Sequence, residues 1–176
     1  MIFLTVGTQL PFDRLVRAMD DWCAAAPHCG VVGQIGEPGS KGYRPKHFDW
    51  YPFVDPEECQ RRFDQASVIV AHAGMGSIIT ALLHSKPIVI MPRRDDLGEH
   101  RNDHQYATAK SFAGKPLVHV AMTEQELPWR IETALKSPAA KPGEGLGHFA
   151  QSSLIEAIKT SIVTAPRRRS ARSLRS

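Results

Sequence analysis

Short runs of aliphatic and β-branched residues alternate along this chain with stretches whose apolar positions recur every three to four residues. The runs Ile2–Val6, Val31–Gln34, Phe48–Tyr51, Val68–Ala71, Ile88–Met91 and Leu117–Val120 predict strands. Between them the spacing predicts helices over Pro11–Ala25, Pro56–Gln65, Gly76–His84, Asn102–Phe112 and Glu124–Leu135. Strands that alternate with helices read as βαβ units, so an α/β domain with a mostly parallel sheet is expected. The segment Gly33–Pro45, with four glycines and two prolines, reads as a loop. A last helix is predicted at about Gly147–Ile162, where Leu154, Ile155, Ile158 and Ile162 form one apolar stripe. That stripe either closes the domain or docks on a partner.

In an open α/β sheet, ligands sit beyond the carboxyl ends of the strands. This rule selects the loops Gly7–Phe12, Pro52–Pro56, His72–Ser77 and Pro92–His104. The third joins a β-branched run to a helix through His72-Ala-Gly-Met-Gly-Ser77. Glycines there let the backbone approach an anion, and the free N–H groups and dipole of the helix attract it. The Ser77 hydroxyl and the His72 imidazole can each add a hydrogen bond. A tight turn with Ser77 as N-cap accounts for the same residues without a ligand. No Walker A string occurs, and the dinucleotide pattern G-x-G-x-x-G ends in Ile79 where its third glycine belongs. Pro92-Arg93-Arg94 stands where that pattern's acid is expected, so a nicotinamide cofactor is not expected.

Composition changes the picture in three places. The 176 residues, 42% of them hydrophobic, suffice for one core. That core is assigned to residues 1–163, with a basic tail at 164–176. No stretch approaches the ~18–20 apolar residues of a membrane span. The opening Met1–Val6 lacks a basic leader and reads as a strand, not a signal peptide. Cys23, Cys29 and Cys59 are odd in number and form no C-x-x-C, which fits a reduced, cytoplasmic protein without a zinc site. The net charge of +4 belongs to the tail: five of the 22 basic residues are arginines in the last ten positions, so the other 17 face 18 acids. Such a tail is a solvated end or one that touches anionic lipid or nucleic acid. Without interleaved aromatics, no nucleic-acid-binding domain is expected.

His72-Ala-Gly-Met-Gly-Ser77, then Lys86-Pro87-Ile88-Val89-Ile90-Met91-Pro92, then Asn102-Asp103-His104-Gln105, follow in order along the chain. With the opening Thr5-Val6-Gly7-Thr8-Gln9 and Phe12-Asp13-Arg14-Leu15-Val16, this series resembles the C-terminal domain of glycosyltransferase family 28. The likeness runs from Ile2 to about Phe112. It is greatest to the stand-alone version, the small subunit of the two-part N-acetylglucosaminyl transferase that extends dolichol-linked sugar, and its bacterial exopolysaccharide counterparts. The resemblance implies a Rossmann-like sheet with helices on both faces, the C-terminal, donor half of a GT-B glycosyltransferase. It further implies that the anion is the diphosphate of a UDP-sugar.

On the matching positions, Gly7, Thr8 and the turn with His72, Gly74, Gly76 and Ser77 would hold that diphosphate. Phe53 and Val54 would read the uracil edge, and His104 and Gln105 the sugar hydroxyls; an amphipathic helix start capped by Asn102 is the plain alternative for the last pair. Family members often carry a glutamate eight residues after the motif histidine to grip the ribose. Thr80 stands there and can make one hydrogen bond but no charge-assisted pair, with Glu99 a candidate to supply the rest. Arg93, Arg94 and Arg101 could neutralise the diphosphate or fork onto a uronic acid donor; alternatively Asp95, Asp96 and Glu99 pair with them on a solvated loop. His100 and His104 have metal-ligand spacing, but sugar contact explains His104 without one, and neither a metal nor another cofactor is expected.

Asp13 is a weak candidate for the catalytic base and could equally cap the first helix. The acceptor half of a GT-B enzyme is a separate domain that 176 residues do not include. The resemblance therefore implies a membrane-anchored partner that binds a lipid-linked saccharide acceptor and brings this subunit to the inner face of the membrane. The reading is a donor-binding catalytic subunit of an inverting hexosyl- or glycuronosyltransferase. The alternative is a non-catalytic accessory protein that binds and enhances a partner glycosyltransferase.

Overall fold

The computed structural model describes residues 1–26 and 30–137. The predicted helix at 147–162, the arginine tail and the domain boundary at 163 lie outside the described residues. The strands are β1 (Ile2–Thr5), β2 (Val31–Gln34), β3 (Asp49–Tyr51), β4 (Val68–His72), β5 (Ile88–Met91) and β6 (Val118–Val120). The helices are α1 (Asp13–Ala25), α2 (Pro56–Gln65), α3 (Met75–Leu83), α4 (His104–Phe112) and α5 (Leu127–Leu135), with a 3₁₀ turn at Glu124–Glu126. All neighbouring strands pair in parallel, in the order β3-β2-β1-β4-β5-β6.

Strand side chains point alternately to opposite faces, so each buried run supplies two cores. Ile2 and Leu4 of β1, Val68 and Val70 of β4, and Val89 and Met91 of β5 pack under α1 and α5. Phe3, Ile69, Ala71, Ile88 and Ile90 face the other way, onto Phe63 of α2, Ile78 and Leu82 of α3, and Ala109 of α4. Helices therefore cover both faces. Strand order reverses between β1 and β4, and a crevice for ligands opens at that switch point. Gly7 and His72 stand at the carboxyl ends of those two strands.

Several element ends differ from expectation, each for a local reason. The first helix begins at Asp13 and not at Pro11, because Phe12 is non-helical (φ −139°, ψ 67°) and the Pro11 carbonyl accepts a hydrogen bond from Arg93. The last strand starts after Leu117, whose φ of +62° lies in the left-handed region that strands do not use. The stretch from Glu124 divides into a 3₁₀ turn and α5, with Pro128 in the first turn of α5, where its missing N–H costs nothing.

Asp20 on α1 is 1% exposed and fastens the long loop after β2. Its carboxylate accepts hydrogen bonds from the Tyr43 hydroxyl (2.6 Å) and from the backbone N–H groups of Lys46 (3.0 and 3.1 Å) and His47 (2.7 Å). Burial works to raise its pKa, but the donors Tyr43, His47 and Lys46 outweigh this and hold it below the usual carboxylate range. In return, its carboxylate, with burial, pushes Tyr43 up to about 12. Asp20→Ala is expected to cost about 3 kcal/mol, read by thermal or urea melting, because three donors lose their acceptor. The folded-state pKa is depressed, so this stabilisation is present at neutral pH and fades as acid protonates the native carboxylate. The melting temperatures of Asp20→Ala and the unaltered chain should therefore converge on acidification.

Candidate functional site

A cleft of about 690 Å³ opens over the switch point, walled by the four loops selected above and by one side of α2. Gly7 and Thr8 line it from the β1–α1 loop, and Phe53 and Val54 from the β3–α2 loop. His72, Gly74, Gly76, Ser77 and Thr80 come from the β4–α3 junction. Arg93, His104 and Gln105 complete the set from the loop after β5 and the start of α4. Asp13, Arg94, Glu99 and Arg101 are not among the lining residues.

At the β4–α3 junction, Gly74 and not Ser77 is the N-cap, and no side chain caps the helix. Gly76 and Ser77 lie in the first turn, whose N–H groups have no partners within an α-helix. The dipole of α3 adds partial positive charge at the same place. The loop glycines also make room for the histidine. A Cβ on Gly74 would lie 2.2 Å from His72 Nε2, and one on Gly7, at φ +77°, 2.7 Å from His72 Cε1. The imidazole is thus gripped between two backbones. Its Nδ1 is buried without a hydrogen-bond partner. Burial first and the nearby Arg93 charge second push its pKa down to about 4, with Thr5 opposing and His100 adding to the shift. His72 is therefore neutral near pH 7, a directional hydrogen-bonding group and not a cation.

Arg93 occupies a different place from the one its sequence position suggests. It is 2% exposed, and its guanidinium donates to the carbonyls of Val6 (2.9 Å), Leu10 (2.6 Å) and Pro11 while lying 4.6 Å over the Phe12 ring. Burial lowers its pKa to about 10, against the attraction of Glu99, so it stays charged at neutral pH. Its hydrogen bonds are spent on the β1–α1 loop, which it braces around Gly7 and Thr8. Gln34 at the end of β2 braces the same loop from the opposite side. Its amide donates to the carbonyls of Gly7 (3.1 Å) and Pro52 (3.0 Å), and its Oε1 accepts from the Thr5 hydroxyl (2.7 Å). Sequence reasoning missed Gln34; the signal was a polar residue closing an apolar strand.

The remaining charged candidates stand apart from the cleft. Glu99, expected to help grip the ribose, holds Arg14 with both oxygens (2.7 and 2.8 Å) and also accepts the Arg94 N–H (2.9 Å). Arg14 further reaches Glu124 (3.1 Å) and the Pro92 carbonyl (2.9 Å), tying α1 to the loop after β5. Arg94 pairs with Asp96 (2.9 Å), as the plain alternative for that loop anticipates. Arg101 is exposed. Asp13 opens α1 and accepts the Tyr43 N–H (3.1 Å), a structural use of its carboxylate. Gln105 accepts the Arg93 N–H (3.1 Å), which leaves its amide N–H₂ to offer a ligand. The helix expected from Asn102 starts at His104, whose ring meets the Asn102 side chain.

His100 also lines the cleft, edge-on to His104 with ring centroids 4.5 Å apart. None of the described residues lining the cleft is acidic. No group of three or more potential metal ligands occurs among the described residues. A wall of glycine N–H groups, imidazoles and one bound arginine, without a carboxylate, suits an anion.

A parallel sheet in this order, with its cleft at the β1/β4 reversal, is the architecture of the C-terminal half of GT-B glycosyltransferases. The chain belongs to the glycosyltransferase family 28 C-terminal domain family, whose profile matches residues 1–145. Among solved structures it is similar to the glycotransferase of kitacinnamycin, with a TM-score of 0.61 and 23% identity over 90% of this chain. It is also similar to MurG of Acinetobacter baumannii, with a TM-score of 0.60 and 17% identity over 90% of this chain. The chain spans only 39% of the first protein and 49% of the second. The solution structure of ALG13 matches with a TM-score of 0.55 and 19% identity over 92% of this chain, and there 94% of the other protein is spanned. A comparison with curated proteins finds no match.

Proposed function

We propose that this chain is the donor-binding subunit of an inverting glycosyltransferase that transfers a sugar from a UDP-sugar to a lipid-linked acceptor in exopolysaccharide-type assembly. The observation that carries the reading is the acid-free cleft around the uncapped N-terminus of α3. In the transfer, the acceptor hydroxyl attacks the anomeric carbon as the bond to the diphosphate oxygen breaks. Helix N–H groups, Ser77 and neutral His72 would stabilise the charge that develops on the leaving diphosphate. The proton of the acceptor hydroxyl needs a base, and no carboxylate among the described cleft residues stands ready to take it. A membrane-anchored partner supplies that base and the acceptor site, and holds this subunit at the inner face of the membrane. No helix of the described residues is long and apolar enough to cross a membrane.

The acidic-sugar form of this proposal rests on His100 and His104, since the three arginines are committed elsewhere or lie outside the cleft. A panel of UDP-glucuronate, UDP-glucose and UDP-N-acetylglucosamine decides it; preference for a neutral sugar ends that form. For the cleft itself, calorimetric titration of UDP is the test. Ser77→Ala is expected to weaken binding about tenfold, the loss of one hydrogen bond to a charged group. The purified chain alone is expected to bind but to transfer slowly, and robust transfer without a partner would overturn the two-part reading. Thr80 in place of an acid favours a second reading, an accessory protein that enhances a partner glycosyltransferase without binding the donor. Absence of UDP binding would select it.

A further inference from the structure

Two of the buried side-chain nitrogens without a hydrogen-bond partner among the described residues belong to this one cleft: Nδ1 of His72 and Nδ1 of His100. Leaving buried polar atoms unpaired is costly, and such atoms cluster where a ligand completes them. His100 stands between the loop that Arg93 and Glu99 fasten and the first turn of α4, and its ring is edge-on to His104.

Residues of several elements face these imidazoles. From the loop after β5 comes Arg93, a cation whose donors are already engaged by three backbone carbonyls. The β1–α1 loop contributes the uncharged Thr8 and Gln9, and α2 contributes Gln60 and Cys59. From α3 comes the Ser77 hydroxyl, and from α4 come His104 and Gln105. Glu99 is sequestered on Arg14. Arg101 and Asp103, which lie between His100 and His104 in the chain, are exposed and outside the lining. A diphosphate that enters this space brings negative charge to a wall with no uncommitted cation. Histidine is the side chain that answers such a charge near neutral pH by taking a proton, and an anion within a few ångströms favours its charged form.

We propose that His100 is a further ligand-binding residue of this cleft, and that a diphosphate is held there with uptake of one proton onto the His100 imidazole. The proton comes from solvent, no covalent bond changes, and the resulting cation adds a positive charge to the wall that the diphosphate meets. The inference rests on the reading of the cleft as a nucleoside diphosphate site. It adds a residue and a charge change to that reading. It also gives the site a release device, because loss of the proton weakens its hold on the diphosphate.

The test uses the full chain and UDP-N-acetylglucosamine or UDP-glucuronate, whose diphosphate diesters do not titrate near neutral pH. Titration in two buffers of different ionisation enthalpy counts protons taken up on binding. The expected result is uptake approaching one proton, with affinity falling by up to about tenfold per pH unit where the histidine loses its charge. His100→Gln is expected to abolish the uptake and weaken binding about five- to tenfold, whereas His119→Gln, outside the cleft, leaves both unchanged. His100→Phe keeps the ring contact with His104 but removes both nitrogens, and should match His100→Gln if packing is not the cause. Binding without uptake, or uptake that survives in His100→Gln, overturns the proposal. Inorganic pyrophosphate separates it from the donor reading. Pyrophosphate binding that depends on His100, with no binding of either UDP-sugar, supports the anion site and removes the nucleotide. Pyrophosphate binding indifferent to His100 overturns the proposal, and failure of all three ligands to bind overturns both.

Discussion

Replacing Arg93 with methionine is expected to lower the melting temperature by roughly 6–12 °C and to abolish measurable UDP binding. The stability loss follows from the three carbonyls of Val6, Leu10 and Pro11, which lose their shared donor. A loss of about 3 kcal/mol for such a set corresponds to that shift in a chain of this size. The binding loss follows separately, because Gly7 and Thr8 sit in the same loop and depend on its shape. Arg93→Lys tests the mechanism. A lysine ammonium keeps the charge but lacks the planar fork and the face that stacks on Phe12, so it should recover little of either property. Recovery of UDP affinity by lysine would mean that the positive charge, not the bracing of the loop, is what the cleft requires. Thermal melting and calorimetric titration on the same preparations separate the two effects.

The layered fold was legible in the sequence because its strands are nearly continuous buried runs with a chain alternation that only βαβ units produce. The strand registers and the division into two cores were not legible, because runs such as Ile2–Leu4 and Val68–Val70 are apolar at every position and do not mark which side chain faces which core. Element ends were less legible. Leu117 looks like any strand residue until its left-handed φ is seen, and Pro11 looks like a helix start until Arg93 takes its carbonyl. The same limit governs the site. The rule for strand carboxyl ends and the family resemblance set His72, Gly74, Gly76, Ser77, Arg93 and His104 around one site, and the structure brings them together on one cleft. Spacing could not say that Arg93 faces the protein backbone, because the three carbonyls it binds lie more than eighty positions away in the chain. Nor could it separate Glu99 from the cleft, since its partner Arg14 is 85 residues distant. Long-range polar pairing carries no local pattern, and the sequence misassignments concentrate there.

The absence of a carboxylate among the described lining residues links these misplaced charges to the chemistry. Three of the acids that the sequence set near the cleft have structural occupations: Glu99 on Arg14, Asp96 on Arg94 and Asp13 on the Tyr43 backbone. Under the proposed function, a cleft built this way would hold a polyanion without competing acids. It would then leave proton removal from an acceptor to another polypeptide, the division of labour expected of a two-part enzyme.

The two glycines of the His72–Ser77 turn are expected to respond in opposite ways to the same substitution. At Gly74 an added methyl meets the His72 ring at 2.2 Å, so alanine there must expel the imidazole from its place between the backbones. Gly74→Ala should weaken UDP binding by about a hundredfold, the combined loss of the His72 contact and of a flat approach to the α3 N–H groups. It should also lower stability by about 1–3 kcal/mol, the cost of an overpacked site. At Gly76 an added methyl meets nothing within 4 Å, and alanine is a better helix residue than glycine by up to about 1 kcal/mol. Gly76→Ala should therefore melt at the same temperature as the unaltered chain or above it. Its UDP affinity should nonetheless fall about tenfold, because the methyl projects where a diphosphate oxygen would approach the first turn of the helix. The informative result is this divergence, stability kept and binding lost, since no defect of folding produces it. Undiminished binding by Gly76→Ala would place the diphosphate away from the N-terminus of α3 and leave the glycine as a consequence of the turn alone.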